Sequence, residues 1–349
     1  MQPNKTTLVK AMRLLLKVVL PLIVSVGLCW VLFRNDNISD IVNIVREQCD
    51  FGMITLMLLI CFMSFVFRAL RWQLQLNGVG IYPRRRDVLY SIFGTYAVNL
   101  VFPRLGEVWR TGYIADRTGS SFGTVMGTMI ADRFADLITG ILFTLSVFIV
   151  GSDSLVRFIQ RYPAGYRALT GIISSPITWI VLTLLIIAIV WVLRTKTHNR
   201  FIARIQDFTR QLYTGFVSIL SMPGRLKWLL WTILLWGCYL GSMYVAFMAF
   251  QFTRDIVATH GFTPVLICFT FGTISMGIPS NGGIGPYQIA IIFGLSLFLP
   301  ELLTPEASKS FDLDSKAFAN TVMTSSTCLT IAVGLWTFIA IMLRKKRSS

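Results

Sequence analysis

Four short runs hold the residues that can do chemistry. Arg68 and Arg71 lie three apart inside an apolar stretch, with Trp72 directly behind. Arg104, Glu107 and Arg110 repeat at three-residue spacing after Pro103. Asp132, Arg133 and Asp136 stand at the head of another apolar stretch, and Asn281, Gly282, Gly283, Gly285 and Tyr287 surround Pro286. At three- or four-residue spacing, charged side chains on a helix share a face. Arginine grips a phosphate or carboxylate through paired N–H bonds, so Arg104 and Arg110 suit an oxyanion. Glu107, Asp132 and Asp136 would hold those arginines in place or couple the site to protons. The last run suits an anion differently. Pro286 fits the first turn of a helix, and free N–H groups at Gly285–Tyr287 would face a phosphate with the positive dipole end behind them. The plainer readings are arginines that set topology, an internal salt bridge that pins helices, and a glycine-rich kink for close helix packing.

The elements that must position these residues are apolar helices. The chain has 349 residues, 54% hydrophobic and 14% charged, with a mean hydropathy of +0.67. This composition describes an all-α polytopic membrane protein with small loops and no room for a separate soluble catalytic domain. The net charge of +16 does not imply nucleic-acid binding. The basic residues flank apolar runs, where they set orientation and attract anionic lipid headgroups. The six cysteines show no CxxC spacing, and His198 and His260 lie far apart in loops. Neither a disulfide framework, a metal nor a cofactor is expected, and no GxxxxGK[ST] phosphate loop is present.

Taken in order, Lys5, Lys10, Arg13 and Lys17 lead into a first helix ending near Phe33, with its N-terminus in the cytosol. Residues 38–50 have the spacing of a short surface helix. A span over 51–70 runs inward to the basic cluster Arg68, Arg71 and Arg84–Arg86. The apolar run over 88–102 is too short to cross a bilayer, which takes roughly 20 residues, and it breaks at Pro103. Residues 88–115 therefore read as a re-entrant hairpin entered from the cytosol. The span over 121–150 leaves only 14 residues beyond Asp136, about 21 Å of helix. A hydrocarbon core of roughly 30 Å then reaches back to Asp132, and charges at such depth read as functional by default. Residues 194–227 form a basic amphipathic linker on the inner leaflet. A span over 228–250 runs outward, residues 263–299 form a second hairpin from outside, 300–316 an outer loop, and 317–343 the last span, with Arg344–Arg347 in the cytosol. Pro103, Pro279 and Pro286 are the hinges.

Two units emerge, at about 51–150 and 228–343, with the same order of parts and opposite orientation. Both lead-in helices carry Phe-Gly-Thr, at 93–95 and 271–273. Inverted repeats with broken helices meeting near the midplane are a transporter architecture, which would bring the two hairpin tips together.

Arg68-Ala-Leu-Arg-Trp72, Pro103-Arg-Leu-Gly-Glu-Val-Trp-Arg110, Asp132-Arg-Phe-Ala-Asp136 and Gly282-Gly-Ile-Gly-Pro286, in that order, resemble the flippase-like membrane domain of lysylphosphatidylglycerol synthases and their stand-alone relatives. The resemblance implies movement of a lipid with a phosphate-bearing or aminoacylated headgroup between leaflets. The third motif of the family begins Glu-Arg, where this chain has Asp132. The synthases' soluble aminoacyl-transferase domain has no counterpart here, so lysyl transfer is not implied. The expected function is a lipid translocase of the cell membrane and not an enzyme, its partner a lipid with an anionic headgroup; a homodimer is compatible with this. The alternatives are a membrane-embedded transferase acting on a polyprenyl-phosphate or phospholipid, with Asp312 and Asp314 as metal ligands, and a transporter of a small water-soluble anion.

Overall fold

The structure is a computed structural model. It describes residues 38–150, 222, 224–278, 280–299 and 304–348, with isolated positions in 1–37 and 151–221. The expected first helix, most of the 194–227 linker and Pro279 lie outside the described residues.

The described chain is all helical: α1 (Ile38–Gln48), α2 (Phe51–Gly78), α3 (Arg85–Val101), α4 (Leu105–Thr118), α5 (Phe122–Val150), α6 (Arg225–Phe247), α7 (Gln251–His260), α8 (Thr263–Ser275), α9 (Pro286–Ser296) and α10 (Pro305–Ser348). Among the described residues, three helices are long and apolar enough to cross a membrane: α2, α6 and the Pro305–Arg344 part of α10. A fourth exists if α7 and α8, bent by 114°, count as one span. The protein is a multi-pass membrane protein. Helix α5 has 29 residues, about 43 Å, and its first half carries Asp132, Arg133 and Asp136.

Local chemistry accounts for the breaks. Asp50 caps α2, its carboxylate accepting from the N–H groups of Gly52 (2.8 Å) and Met53 (3.2 Å). The same residue's N–H donates to the Ala249 carbonyl at 2.7 Å, and Cys49 and Phe250 form an isolated β-bridge. The heads of α2 and α7 are thereby tied together, and α6 packs along the length of α2. Gly261, at φ 65°, turns the chain between α7 and α8. Helix α7 and the helical start of α10 depart from the expected pattern. Residues 305–316 are not a loop: Pro305 opens α10, and Thr304 Oγ1 accepts from the Ala307 N–H at 3.3 Å.

Helices α3 and α4 pack as one antiparallel pair, and so do α8 and α9. A Cβ on Gly94 would lie 2.2 Å from the Trp109 ring, and one on Gly272 would lie 3.0 Å from the Tyr287 ring. The glycine of each Phe-Gly-Thr thus seats an aromatic ring from the returning leg. Gly106 is pinned more tightly still: its N–H donates to Asn99 Oδ1 at 2.8 Å, and a Cβ there would sit 2.2 Å from the Thr95 carbonyl oxygen.

The two pairs meet at their tips. Arg104 Nη2 donates to the Gly277 carbonyl at 2.6 Å, and Asn281 Nδ2 to the Leu100 carbonyl at 3.1 Å. One apolar core joins α2, α6, α8, α9 and α10 around Trp236, Phe247, Phe269 and Phe318, and a second joins α2 to α5 around Trp72, Phe93 and Ile114.

Candidate functional site

The charged residues converge between α2, α4 and α5, next to the second core. On α2, Arg68, Arg71, Trp72 and Gln75 fall at i, i+3, i+4 and i+7, and so on one face. All four are buried. On α5, Thr128, Asp132 and Asp136 form the facing row. Arg110 enters from α4 and is fully buried.

Ion pairs organise this contact. Arg71 reaches Asp132 Oδ1 through Nη2 at 2.6 Å and through Nε at 2.9 Å, and its Nη2 also lies 2.7 Å from Asp136 Oδ1. Arg68 Nη1 lies 2.7 Å from Asp136 Oδ2 and 3.5 Å from Asp132 Oδ2. Arg110 is held more loosely, with Nη2 at 3.4 Å from Asp132 Oδ2. Its guanidinium carbon lies 4.2 Å from the centroid of the Trp72 ring, within cation–π range. The Trp72 indole is anchored in turn by Nε1–H to Thr128 Oγ1 at 3.1 Å. Toward solvent, half-exposed Arg133 pairs with Glu107 Oε1 at 3.8 Å and with Asp136 Oδ2 at 3.5 Å.

Three buried guanidiniums face two carboxylates, Asp132 buried and Asp136 partly so, and the Arg133–Glu107 rim adds one of each. The cluster therefore holds one positive charge in excess. The deficit falls on identified atoms: Arg71 Nη1 and Arg110 Nε and Nη1 are buried without a hydrogen-bond partner. Burying a cation costs several kcal/mol unless it is paired, so the arrangement is chemically incomplete. Open donors predominate, with Glu107 Oε2 the one open acceptor on the carboxylates, and an oxyanion is a group that such donors can bind.

Arg68 carries the cluster outward to two further elements. Its Nε and Nη2 donate to Tyr239 Oη at 3.3 and 3.2 Å, and Tyr239 Oη lies 3.4 Å from Tyr96 Oη. The chain Asp136–Arg68–Tyr239–Tyr96 thus links α5, α2, α6 and α3.

Of the residues singled out from the sequence, Arg68, Arg71, Glu107, Arg110, Asp132, Arg133 and Asp136 come together here. Arg104 does not. It is exposed at the tip of the α3–α4 pair, in the left-handed conformation (φ 63°), bonded to Gly277. Asn281 and Gly282 meet the same tip, a Cβ on Gly282 falling 2.5 Å from Leu100 Cδ2. The anion cradle expected at Gly285–Tyr287 is not available. The Gly285 N–H donates to Gln288 Oε1 at 2.7 Å and the Tyr287 N–H to the Gly283 carbonyl at 3.0 Å. Gln288 is the third residue of the helix, and its side chain reaches back to the residue before the helix as in one half of a capping box; Gly285 has no side chain to return the bond. Gly283 instead makes room for Met276, whose sulfur would lie 2.6 Å from a Cβ there. Pro103 sits in the break between α3 and α4, and Pro286 is the first residue of α9.

The acidic pair Asp312 and Asp314 does not converge on a point. Residues two apart on a helix face different ways, and Asp312 Oδ2 is bound by Lys316 Nζ at 2.7 Å. Among the described residues, no group of three or more His, Cys, Asp or Glu gathers as metal ligands would.

Gln75, Thr128, Tyr96 and Tyr239 belong to this neighbourhood and escaped the sequence reading, while Trp72 was named there only as the residue behind the two arginines. Helical spacing alone places Trp72 and Gln75 beside the two arginines. Nothing in the sequence joins Tyr239 to Arg68, 171 residues away. Residues 18–303 match the model of the family described as the lysylphosphatidylglycerol synthase TM region. No curated protein and no solved structure matches.

Proposed function

The chain belongs to the family of the lysylphosphatidylglycerol synthase TM region, and on that premise we propose that it is a lipid translocase. It moves a phosphate-bearing headgroup between leaflets while the acyl chains stay in the bilayer, and it performs no chemistry on the lipid. The observation that carries this reading is the buried excess guanidinium. Arg110 and Arg71 present unpartnered nitrogens beside a ring-supported cation, and a headgroup phosphate supplies the missing charge and acceptor oxygens.

The route follows from the two helix pairs. Their legs have 17, 14, 13 and 11 residues. At the helical rise these measure about 25, 21, 20 and 17 Å, each short of a core of roughly 30 Å. They dip into the membrane from opposite faces as the broken elements of an inverted repeat, with both termini in the cytosol. The Gly94–Trp109 and Gly272–Tyr287 seats and the bonded tips support that pairing. Irregular backbone at membrane depth is tolerated where protein encloses it or water reaches it. Glu107 and Arg133, on the half-exposed side, form the mouth through which the headgroup reaches Arg110.

The test is reconstitution in vesicles with a headgroup-labelled phospholipid and dithionite quenching. Wild-type protein gives quenching of both leaflets. The Arg110→Ala, Glu107→Ala double substitution slows exchange of the inner-leaflet pool at least about tenfold, the effect of removing a charged hydrogen-bond partner. An unchanged rate overturns the assignment.

A further inference from the structure

A cavity of about 430 Å³ opens between the end of α9 and the first turns of α10. Ile292, Ser296 and Leu299 line it from one side at i, i+4 and i+7, and Ser308, Asp312 and Ser315 line it from the other at the same spacing. Phe311 adds an aromatic wall and packs edge-on against Phe252 of α7 at 5.0 Å. Helix α7 is tied to the head of α2 at Asp50. Arg71 lies 21 residues further along α2, about 31 Å of helix, so this cavity and the charged cluster are separate sites. Its polar wall is unsatisfied at one buried point. Ser315 is fully buried, and its Oγ has no hydrogen-bond partner. Hydroxyls further along α10 are satisfied within the helix: Thr321, Thr327, Thr330 and Thr337 each donate to the carbonyl four residues back at 2.8–2.9 Å. Ser315 makes no such bond to Phe311. At the mouth, Ser308 and Lys309 are exposed, and among the described residues no carboxylate pairs with Lys309. The acceptors on the wall are already engaged in part. Asp312 Oδ2 is bound by Lys316 Nζ at 2.7 Å, which leaves Oδ1 at the rim, and Ser296 Oγ donates to the Phe293 carbonyl at 2.7 Å.

We infer that this cavity is a binding site for an organic oxyanion, a carboxylate or phosphate carried on one slender apolar body. Charge decides the sign of the ligand: Lys316 neutralises Asp312, and the Lys309 ammonium is left to hold an anion. The Ser308 and Ser315 hydroxyls donate to the anion's oxygens, while Ile292, Leu299 and Phe311 cover the apolar part. Size limits that part. Ligand sites span roughly 300–1,000 Å³, and this cavity lies near the small end, so it takes a single chain or ring and not a two-chain lipid. The ligand arrives either as a soluble anion or as a single-chain amphiphile from the membrane, with the same head chemistry. The site stands whether or not the protein moves lipid.

Hexyl phosphate, hexanol and hexylamine share an apolar body and differ in the head. Their binding to the full chain in phosphatidylcholine nanodiscs is measured by calorimetry. In the same discs a diazirine-bearing palmitate is photo-cross-linked, with and without hexyl phosphate, and the labelled peptides are mapped by mass spectrometry. Wild-type protein binds hexyl phosphate saturably and about tenfold or more tightly than hexanol or hexylamine, the scale of a hydrogen bond to a charged group. Ser315→Ala and Lys309→Gln each weaken that binding by about fivefold or more. The melting temperature of Ser315→Ala does not fall, because the hydroxyl has no bond to lose. Palmitate label on residues 292–315 that hexyl phosphate displaces upholds the site and assigns it a membrane source. Saturable hexyl phosphate binding without that label upholds the site and assigns it a soluble source. Equal binding of hexanol or hexylamine, no saturable binding of either anion, or binding unchanged by both substitutions overturns the inference.

Discussion

Arg110→Met separates a cation kept for binding from one kept for stability, because the two predict opposite signs. A buried arginine that is part of a structural salt bridge leaves an uncompensated partner when it is removed, at a cost of about 3–5 kcal/mol. Arg110 is not placed that way. Its one carboxylate contact is 3.4 Å long, and that carboxylate, Asp132, is already gripped by Arg71 at 2.6 Å. Two of its three nitrogens have no partner. Methionine forfeits the contact with the Trp72 ring, worth about 2 kcal/mol when desolvated. It also removes the desolvation penalty of an ion, which is several kcal/mol, and the repulsion from Arg68 and Arg71. The expected net is between zero and about 2 kcal/mol of added stability. Asp132→Asn is the counterpart: it leaves three buried guanidiniums facing one carboxylate and should cost about 3–5 kcal/mol. An unfolding entropy of about 2.1 cal/mol/K per residue over 349 residues converts 1 kcal/mol into about 1.4 °C. Thermal unfolding in detergent, followed by tryptophan fluorescence, should therefore show Asp132→Asn lower by roughly 4–7 °C and Arg110→Met unchanged or higher by up to roughly 3 °C. The Arg110→Met protein should at the same time lose lipid exchange. A fall in melting temperature for Arg110→Met equal to that for Asp132→Asn would refute the idea of an excess charge held for a ligand.

Two further outcomes follow from the same geometry. Tyr239→Phe removes an acceptor shared by two nitrogens of Arg68 and should cost about 1.5–3 kcal/mol, the range for bonds to charged groups. Tyr96→Phe removes a single neutral contact at 3.4 Å and should cost about 1 kcal/mol or less; the reverse order in detergent melts would contradict the linkage through Arg68. At the tips, cysteines at Leu100 and Asn281 should cross-link rapidly with copper phenanthroline in native membranes, since the Asn281 side chain already bonds the Leu100 backbone. No cross-link would mean that the helix pairs stand apart.

The helices and the charged cluster were legible for one reason: a period of 3.6 turns local spacing into a shared face. Arg68 with Arg71, and Asp132 with Asp136, could each be assigned to one face, but the sequence set the carboxylates against Arg104 and Arg110, and it is the arginines of α2 that take most of their contacts. The pairing within the cluster was not legible. Arg133 adjoins Asp132 in sequence, yet neighbours on a helix diverge, and Arg133 faces Glu107 and Asp136 while Asp132 is taken by the arginines of α2 and α4. The supposed cradle at Gly285–Tyr287 failed because Gln288 closes its own helix start, a signal that three-residue spacing does offer. The helical start of α10 was hidden by its polarity, although Asp312 and Lys316 stand at the four-residue spacing of a helical ion pair. Tyr239 offered no signal, since its partner is set by tertiary packing alone.

The places where this chain breaks local rules are concentrated, and their concentration bears on function. Elsewhere the rules hold: a carboxylate caps α2, glycines take the left-handed turns at 119 and 261, and Pro286 opens α9. Along the contact of α2, α4 and α5 they fail together, with open polar atoms on Arg71, Gln75, Glu107, Arg110 and Arg133. Other open atoms, such as Trp236 Nε1 and Thr270 Oγ1, belong to neutral side chains of the first core. Among the described residues, Arg104 at the adjoining tip is the one non-glycine residue held at positive φ. Sequences that fold tend to satisfy every level at once except where function demands otherwise. An apolar replacement of Arg110 would suit the fold at least as well as the arginine does. A structural account therefore explains the carboxylates and the two arginines of α2 more fully than it does the third cation, whose holds are one ring and one long carboxylate contact, and whose two open nitrogens are where the proposed anion would bind.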